Sequence, residues 1–269
     1  MTADLPARPP LDGDRLTSGP PGLSVEVVES APSTNALVAE RARAGAAEGL
    51  VVVAEHQTSG RGRLDRSWET PPRAALTFSV LLRPRVAPTE WPWLPLMTGY
   101  AVARALREAG FAAGVKWPND VLIGDGKVAG ILVERVDTPT GPAAIVGVGI
   151  NVGTTREELP IEAATSLAIE AGTAPDRTDI LLWVLGALRE EYDAWEAGGA
   201  ATLHAAYLRS CVTVGRDVQV ALPGGGALTG RATGIDPGGR LTVNGPDGEV
   251  AVGAGDVVHV RSVKRHPDQ

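Results

Sequence analysis

Apolar and polar positions recur along this chain with two different periods, and each period predicts its own secondary structure. The pattern predicts strands over 24–30, 50–56, 75–84, 127–136 and 143–152, and all but the first are mainly apolar runs. Helical spacing of apolar residues follows Ser33 and Thr34, which can cap a helix over 35–44, and returns over 94–110 and 178–196. We therefore expect an α+β region in which a mixed β-sheet packs against helices.

The pattern changes after Cys211, where Gly, Pro, Asn and Asp interrupt short alternating stretches about every 8 to 10 residues. Such a pattern is typical of short antiparallel strands in a small barrel of SH3-like size. At the other end of the chain, the residues that predict a disordered leader are Pro6, Pro9, Pro10, Pro20 and Pro21. The predicted organisation is a leader over 1–22, a main domain over 23–210 and an SH3-like domain over 211–263.

The composition narrows the class of protein. With 269 residues, 43% of them hydrophobic, the chain can bury a large core. A net charge of -7 and a pI of about 5.2 disfavour a protein that coats nucleic acid. A single cysteine allows no internal disulfide, no apolar run has transmembrane length, and no signal-peptide pattern is visible. We therefore expect a cytoplasmic protein that binds neither a membrane nor DNA.

The arginine loop, residues 60–68, contrasts with this acidic background. It follows the strand predicted at 50–56 and carries Arg61, Arg63 and Arg66 among glycines. Glycine lets a backbone approach a ligand closely, and the planar guanidinium group matches phosphate or carboxylate. The loop therefore suits a small anion, although its composition equally fits a solvated surface loop. The chain contains no Walker A pattern for phosphate binding.

Other segments place polar residues or glycines where a ligand could lie. The segment KWPND (116–120) combines a cation, an aromatic ring, an amide and a carboxylate, but Pro-Asn-Asp is also good turn chemistry. Lys127 opens an apolar strand in which Gly130 indicates the close approach of another group. VGVGIN (146–151) sets two glycines and an asparagine on one strand face, whereas STN (33–35) is explained equally well as a helix cap. None of these segments is specific alone.

Taken together, the segments resemble the biotin protein ligases, whose motifs occur here in the same order. They are S-T-N (33–35), Q-T-x-G-R-G-R-x-x-R-x-W (57–68), K-W-P-N-D (116–120), G-K-x-A-G-I-L-V-E (126–134) and V-G-x-G-I-N-V (146–152). The resemblance implies a seven-stranded mixed sheet with helices, akin to class II aminoacyl-tRNA synthetases, and a C-terminal SH3-like domain. It also implies an enzyme, a biotin–[biotin carboxyl-carrier protein] ligase. Such a ligase forms biotinyl-5′-AMP from biotin and ATP, and then biotinylates a lysine on the carrier domain of an acyl-CoA carboxylase.

The resemblance further implies which residues hold ATP, biotin and a Mg²⁺ ion. The implied biotin site comprises Ser33, Thr34, Asn35, Gln57, Arg61, Gly62, Arg63, Lys127 and Gly130. The implied ATP site comprises Arg61, Arg63, Arg66, Trp68, Lys116, Asn119, Lys127 and Asn151. The implied catalytic residues are Lys127, Arg63 and Arg61, and Asp120 is the candidate metal ligand.

Several points stay open at this stage. Asp65 stands where the family usually has glycine, and it can pair with a neighbouring arginine or point to solvent. The residues before Ser33 do not resemble the DNA-binding domain of many family members, so we expect a ligase that does not bind DNA. The alternatives are a lipoate or octanoate ligase or transferase of the same fold, and a non-catalytic binding module. The sequence does not distinguish a monomer from a weak homodimer, and it does not identify the acceptor carboxylase.

Overall fold

A seven-stranded mixed sheet forms the main region of the computed structural model, which describes residues 8–63, 66–222 and 224–260. The first nine strands are β1 (Ser24–Val28), β2 (Leu50–Ala54), β3 (Gly60–Arg61), β4 (Ser67–Trp68), β5 (Ala75–Leu82), β6 (Ala113–Lys116), β7 (Asp120–Ile123), β8 (Gly126–Thr138) and β9 (Gly141–Asn151). The sheet order is β1-β2-β5-β9-β8-β7-β6, while β3 and β4 form a separate antiparallel hairpin in the arginine loop. β1 and β2 run parallel, and the other neighbours are antiparallel.

Helices cover both faces of this sheet. They are α1 (Gly13–Thr17), α2 (Thr34–Arg43), α3 (Trp93–Glu108), α4 (Leu167–Ala171), α5 (Arg177–Gly198) and α6 (Ala201–Ser210), with a 3-10 turn at Pro88–Glu90. The three helices predicted from apolar spacing correspond to α2, α3 and α5. The pattern did not predict α4, which is five residues long, or α6, which buries little besides Leu203 and Tyr207. The predicted mixture of a mixed sheet and helices is confirmed.

The side chains of the central strands alternate between two apolar clusters. Val52 of β2 packs with Val38 and Ala42 of α2 in the smaller cluster. Its neighbours Val51 and Val53 point to the opposite face and join the larger core formed with α3, α5 and α6. Because both faces are covered, β2 and β5 are almost continuously apolar, and the sequence predicted this burial on both faces for β2.

The N-terminal segment corrects one prediction. Residues 1–22 were predicted to be a disordered leader, but residues 8–22 are ordered against the main region and include α1, while residues 1–7 lie outside the described residues. Leu11 and Leu16 are buried, and the Leu11 backbone N–H donates to Glu55 Oε1 at 2.7 Å. Glu55 also pairs with Arg177 at 2.7 Å, with both side chains buried. The prediction of disorder rested on the many prolines in this segment. Composition alone could not indicate that Glu55 and Arg177, which are distant in sequence, form a buried pair that anchors the segment.

A second sheet follows the main region. It contains β10 (Asp217–Ala221), β11 (Ala227–Ile235), β12 (Leu241–Gly245), β13 (Gly248–Val252) and β14 (Asp256–His259), all antiparallel, in the order β13-β12-β11-β10-β14. Two indoles of the main region anchor it, since Trp93 Nε1 donates to Pro237 O at 2.8 Å and Trp117 Nε1 donates to Gly239 O at 3.0 Å. This sheet therefore lies beside the β6–β7 turn. None of the described helices has the length and apolar character needed to cross a membrane.

Candidate active site

A cavity of about 460 Å³ opens between the arginine loop and the middle of the main sheet. Its walls come from the start of α2, the arginine loop, β7, β8, β9 and the segment 160–164. Of the site residues predicted from the sequence, those that line the cavity are Ser33, Thr34, Asn35, Gln57, Arg61, Gly62, Arg63, Arg66, Trp68, Asn119, Asp120, Lys127, Gly130 and Asn151. Lys116 is the exception. The fold thus brings together residues that lie more than a hundred positions apart.

Uncharged polar side chains form the floor at one end of the cavity. Thr34, Asn35 and Gln57 line the cavity, Ser79 lies buried behind them, and we call these four residues the polar floor. Gln57 Oε1 accepts from the backbone N–H of Thr34 at 2.8 Å and from its hydroxyl at 3.2 Å. Ser79 Oγ lies 2.7 Å from the Thr34 hydroxyl and donates to Asn35 Oδ1 at 2.6 Å. All four residues are buried. The neighbouring Ser33 is the N-cap residue of α2, but its hydroxyl makes no capping bond.

Glu134 in β8 connects the polar floor to the arginine loop. Asn35 Nδ2 donates to Glu134 Oε2 at 2.7 Å and to Leu132 O at 3.3 Å. The same Glu134 oxygen accepts from Arg61 Nη2 at 3.0 Å. The sequence motif contained this glutamate, but it gave no indication that Arg61 and Asn35 would meet on it.

Glycines in β8 and β9 leave room for side chains that lie against the sheet. A methyl group on Gly149 would approach Trp68 Cε2 to 2.4 Å, and one on Gly130 would lie 3.2 Å from Trp68 Cζ3. A methyl group on Gly147 would lie 2.2 Å from Asn35 Oδ1. The Trp68 indole therefore covers the glycine face, and its buried Nε1 has no hydrogen-bond partner within the described parts of the chain.

The opposite end of the cavity carries charge. Lys127 Nζ lies 2.6 Å from Asp120 Oδ1 and 5.9 Å from the centre of the Trp68 ring. Arg63 Nη1 donates to Asn119 Oδ1 at 2.8 Å, and the Asn119 amide in turn donates to Ile131 O at 2.9 Å. β7 and β8 pair with a register shift between Val121 and Leu122, next to these groups. One cavity therefore joins a neutral polar end to a cationic end.

The arginine loop makes its other contacts with the second sheet. Arg66 forms an ion pair with Asp256 at the start of β14, and Arg63 Nη2 donates to Gly255 O at 3.3 Å. Asp256 also lines the cavity, and the sequence did not indicate it because nothing marked its position opposite the loop. The prediction about Asp65 lies outside the described residues.

A segment between β9 and α4 forms a wall that the sequence did not predict. Pro160, Ile161 and Ala164 line the cavity, although this stretch has no periodic pattern. It is held at Lys127, whose backbone N–H donates to Ala163 O at 2.8 Å and whose carbonyl accepts from the Thr165 N–H at 2.8 Å. The buried Asn151 also fixes it, since its Nδ2 donates to Thr165 O at 3.0 Å.

Lys116 lies in an adjoining cavity of about 390 Å³ between the β6–β7 turn and the second sheet. The two cavities share Arg66, Asn119, Asp120 and Asp256. Lys116 Nζ is 3.7 Å from Asp120 Oδ2, so the carboxylate of Asp120 has a lysine near each oxygen. Within the described ranges, no group of three or more His, Cys, Asp or Glu side chains is placed to hold a metal ion.

Comparisons with known proteins agree with this geometry. Residues 27–151 match the biotin/lipoate A/B protein ligase family, and residues 213–260 match the biotin protein ligase C terminal domain. A biotin–[acetyl-CoA-carboxylase] ligase of Mycobacterium tuberculosis is 40% identical over 94% of this chain and 97% of its own length.

The biotin protein ligase of Aquifex aeolicus superposes on this chain in two structures. One, a point mutant in complex with biotin, has a TM-score of 0.77 and 27% identity over 89% of this chain and 100% of the other. The second, in complex with biotin and ATP, has a TM-score of 0.74 and 30% identity over 88% of this chain and 99% of the other.

These matches include the main sheet, the arginine loop and the second sheet. The similarity therefore extends beyond the fold of a single region. The chain therefore belongs to the biotin protein ligase family.

Proposed function

We propose that this protein is an ATP-dependent ligase that forms biotinyl-5′-AMP and transfers biotin to a lysine of a biotin carboxyl carrier domain. The observation that carries the proposal is the single cavity that joins the polar floor to the charged residues of β7, β8 and the arginine loop. The relative from M. tuberculosis is named as such a ligase, and the A. aeolicus enzyme was solved with biotin and ATP. Its acceptor is proposed to be the carrier domain of an acyl-CoA carboxylase.

The reaction takes place in two steps. A biotin carboxylate oxygen attacks the α-phosphorus of ATP, the bond to the β-phosphate oxygen breaks, and pyrophosphate leaves. The amine of the acceptor lysine then attacks the acyl carbon of biotinyl-AMP, loses a proton, and displaces AMP. Lys127, Arg61 and Arg63 are the proposed catalytic residues. Their positive charges offset the repulsion between carboxylate and phosphate and stabilise the charge that develops on the α-phosphate.

The polar floor is proposed to hold the uncharged ring of biotin. The ring needs apolar walls and a few fixed polar groups, which Ser33, Thr34 and Gln57 can supply beside the glycine face. Asn35 belongs to the same proposed contact set, although its amide is bonded mainly within the protein. Arg61, Gly62, Arg63, Lys127 and Gly130 complete the proposed biotin site.

The nucleotide is proposed to occupy the end of the cavity lined by Trp68 and Asn151. Trp68 offers an aromatic face for adenine. Its Nε1–H, which has no partner among the described residues, is a donor that a ligand acceptor can satisfy. Arg61, Arg63, Arg66, Asn119 and Lys127 are proposed to face the phosphates. Lys116 would reach them from the adjoining cavity, since it lies on the far side of Asp120.

A Mg²⁺ ion fits the residues at this end. Mg²⁺ in nucleotide sites commonly uses one or two carboxylates together with substrate phosphates and waters, so Asp120 alone is a sufficient protein ligand. When bound, the ion would neutralise phosphate charge. Lys116 and Lys127 lie beside the Asp120 carboxylate and balance its charge.

Finer features of the fold and of its setting are part of the same proposal. We propose that the main sheet is related to class II aminoacyl-tRNA synthetases and that the second sheet is an SH3-like domain. Proposed domain limits are 23–210 for catalysis and 211–263 for the second domain. We further propose a cytoplasmic location, a monomer or weak homodimer, and no DNA binding; these stay predictions.

The test is isotope exchange between pyrophosphate and ATP with purified protein and either biotin or lipoate. We expect exchange with biotin and, in a separate assay with labelled biotin, transfer of biotin to a purified carrier domain but not to its Lys→Arg variant at the acceptor position. Exchange that depends on lipoate alone would assign the protein to the alternative substrate class. Absence of exchange with both acids would contradict a ligase that works through an acyl-adenylate.

A further inference from the structure

Glu134 belongs to none of the proposed substrate contacts, yet its carboxylate bonds to two of them. Glu134 Oε2 accepts from Asn35 Nδ2 at 2.7 Å and from Arg61 Nη2 at 3.0 Å. We propose that Glu134 is a positioning residue that orients the Asn35 amide at the biotin end of the cavity and holds Arg61 at the cavity rim. The inference rests on the proposed function, because it assigns Glu134 an effect on biotin binding.

The contacts of Asn35 show why its orientation depends on Glu134. Both hydrogens of its Nδ2 are used, one by Glu134 and one by Leu132 O, and its Oδ1 accepts from Ser79. Because these acceptors and donors fix which end of the amide faces which neighbour, the group cannot turn without breaking bonds. Ser79 and Thr34 connect it to Gln57, so a misplaced amide disturbs the whole polar floor.

The second contact, with Arg61, has a different character. The side chains of Arg61 and Glu134 are 52% and 32% exposed, so their ion pair is well solvated. Ion pairs of this kind are weak, because water and salt screen the attraction between exposed charges. A ligand carboxylate or phosphate in the cavity can therefore replace Glu134 as the partner of Arg61, while the buried Asn35 keeps its acceptor. Glu134 thus holds the buried Asn35 firmly, whereas a ligand can displace its contact with Arg61.

The variants Glu134→Ala and Glu134→Gln separate these roles. Alanine leaves Asn35 Nδ2 without its charged acceptor, and losing such a bond at a buried amide weakens binding by about tenfold. We expect Glu134→Ala to raise KM for biotin about tenfold while kcat stays within about twofold of the parent. Glutamine still offers Asn35 a neutral oxygen, so Glu134→Gln is expected to return KM to within about threefold.

A matched control and an independent variant complete the experiment. Asp137→Ala removes a carboxylate from the same strand, where Asp137 is exposed and pairs with Arg135, and should keep the parental KM. Ser79→Ala removes the hydroxyl that donates to Asn35 Oδ1 without changing the packing volume much. It should raise KM for biotin in the same direction. The double variant with Glu134→Ala should be less than multiplicative, because both changes act through Asn35.

The outcomes distinguish this inference from the proposed function. If the parent protein shows no biotin-dependent exchange, the proposed function fails whatever the variants do. If the parent is active, the inference is overturned by a parental KM in Glu134→Ala, or by equal defects in the alanine and glutamine variants. A multiplicative double variant would also contradict it. Thermal unfolding of each variant shows that the assayed protein is folded.

Discussion

The polar floor and the arginine loop face each other across one cavity, and they are built in opposite ways. The floor residues Ser79 and Asn35 are 0% and 4% exposed, and each bonds to other residues of the main region. The loop side chains Arg61 and Arg66 are 52% and 67% exposed, and within the described ranges each pairs with one carboxylate on another element. The floor is thus fixed by folding, whereas the loop arginines keep partners that a ligand can replace.

The contacts of the polar floor and those of the loop arginines also differ in how much they contribute to stability. Leaving a buried polar group unsatisfied costs about 1 to 3 kcal/mol, whereas an exposed ion pair contributes roughly 0 to 1 kcal/mol. The neutral ring of biotin has no charge to attract it, so its binding needs donors and acceptors held in place. The anionic groups attract arginines from some distance, so those arginines need not be fixed before the ligand arrives.

Lys127 tests how much a cation held in a fixed position in the cavity contributes to the reaction rate. It lies on β8 next to Asp120, and its backbone is bonded to the segment 163–165, so its amine is held in position. Lys127→Ala should slow formation of biotinyl-AMP by roughly 10² to 10³, the usual effect of removing a preorganised charge. Single-turnover adenylate formation measures this rate directly.

The matched control for that prediction is Lys116→Ala. Lys116 contacts the same aspartate from the adjoining cavity and does not line the main one. It should reduce the rate less than about tenfold, since a charge farther from the reacting groups is screened more strongly. If the two alanine substitutions slowed the reaction equally, the location of Lys116 in the adjoining cavity would not reduce its contribution to catalysis, and the prediction would be wrong.

Gly147→Ala tests the rigidity of the floor. The added methyl group would lie 2.2 Å from Asn35 Oδ1, and β9 is paired on both sides, with β5 and β8, so its backbone cannot retreat. Asn35 must then move and lose bonds, which should weaken biotin binding by roughly 30- to 150-fold. Biotin titration calorimetry measures the change. Gly186→Ala in α5, where the nearest neighbouring atom is 4.0 Å away, should bind like the parent.

The two sides of the cavity also differ in how far the sequence predicted them. The period of two along β9 correctly placed Gly147, Gly149 and Asn151 on one face, because alternation reports the direction in which a strand residue points. The composition of the arginine loop favoured an anion-binding role, which stays a prediction. Both signals are local, and each belongs to one continuous segment of the chain.

Contacts between residues from distant segments of the chain could not be predicted from such local patterns. Arg66 meets Asp256 across 190 positions, and Arg61 meets Glu134 across 73. Whether such pairs meet depends on how the second sheet and β8 pack around the cavity, which no local pattern reports. Lys116 shows the converse, since its closeness in sequence to Asn119 and Asp120 suggested one site, whereas the turn places it in the adjoining cavity.

His259 on β14 lies near Lys116 of the main region, so its titration is sensitive to the packing of the second sheet against that region. The arginine loop contacts the same sheet through Arg66 and Arg63. Burial, followed by the charges of Lys116 and Arg216, lowers the pKa of His259 to about 4, while Asp125 opposes the shift. As the pH falls, His259 is protonated in the unfolded chain at a higher pH than in the folded protein. The contribution of His259 to the free energy of unfolding is therefore complete above about pH 6.5 and declines as the pH falls towards 4. After allowance for partial solvent screening, the loss is about 1 to 2 kcal/mol.

His259→Gln removes that titration while keeping a polar side chain near Thr213. Urea unfolding at pH 7.5 and pH 5 should show a smaller loss of stability in the variant than in the parent. An identical loss in both proteins would mean that other groups account for the acid sensitivity, and that His259 does not report on this interface.

Asp256→Asn makes the smallest expected change and addresses the loop most directly. The Arg66–Asp256 pair is largely exposed on the arginine side, so its removal should lower stability by less than about 1 kcal/mol. It should nevertheless speed tryptic cleavage within the loop about two- to threefold, and about 0.5 M salt should bring the parent to the same rate by screening the pair. Asp193→Asn, which breaks an exposed Arg–Asp pair on α5, should leave loop cleavage unchanged. Salt-independent cleavage in the parent would show that bonds other than this pair hold the loop, and the contrast between a fixed floor and replaceable loop contacts would then fail on the loop side.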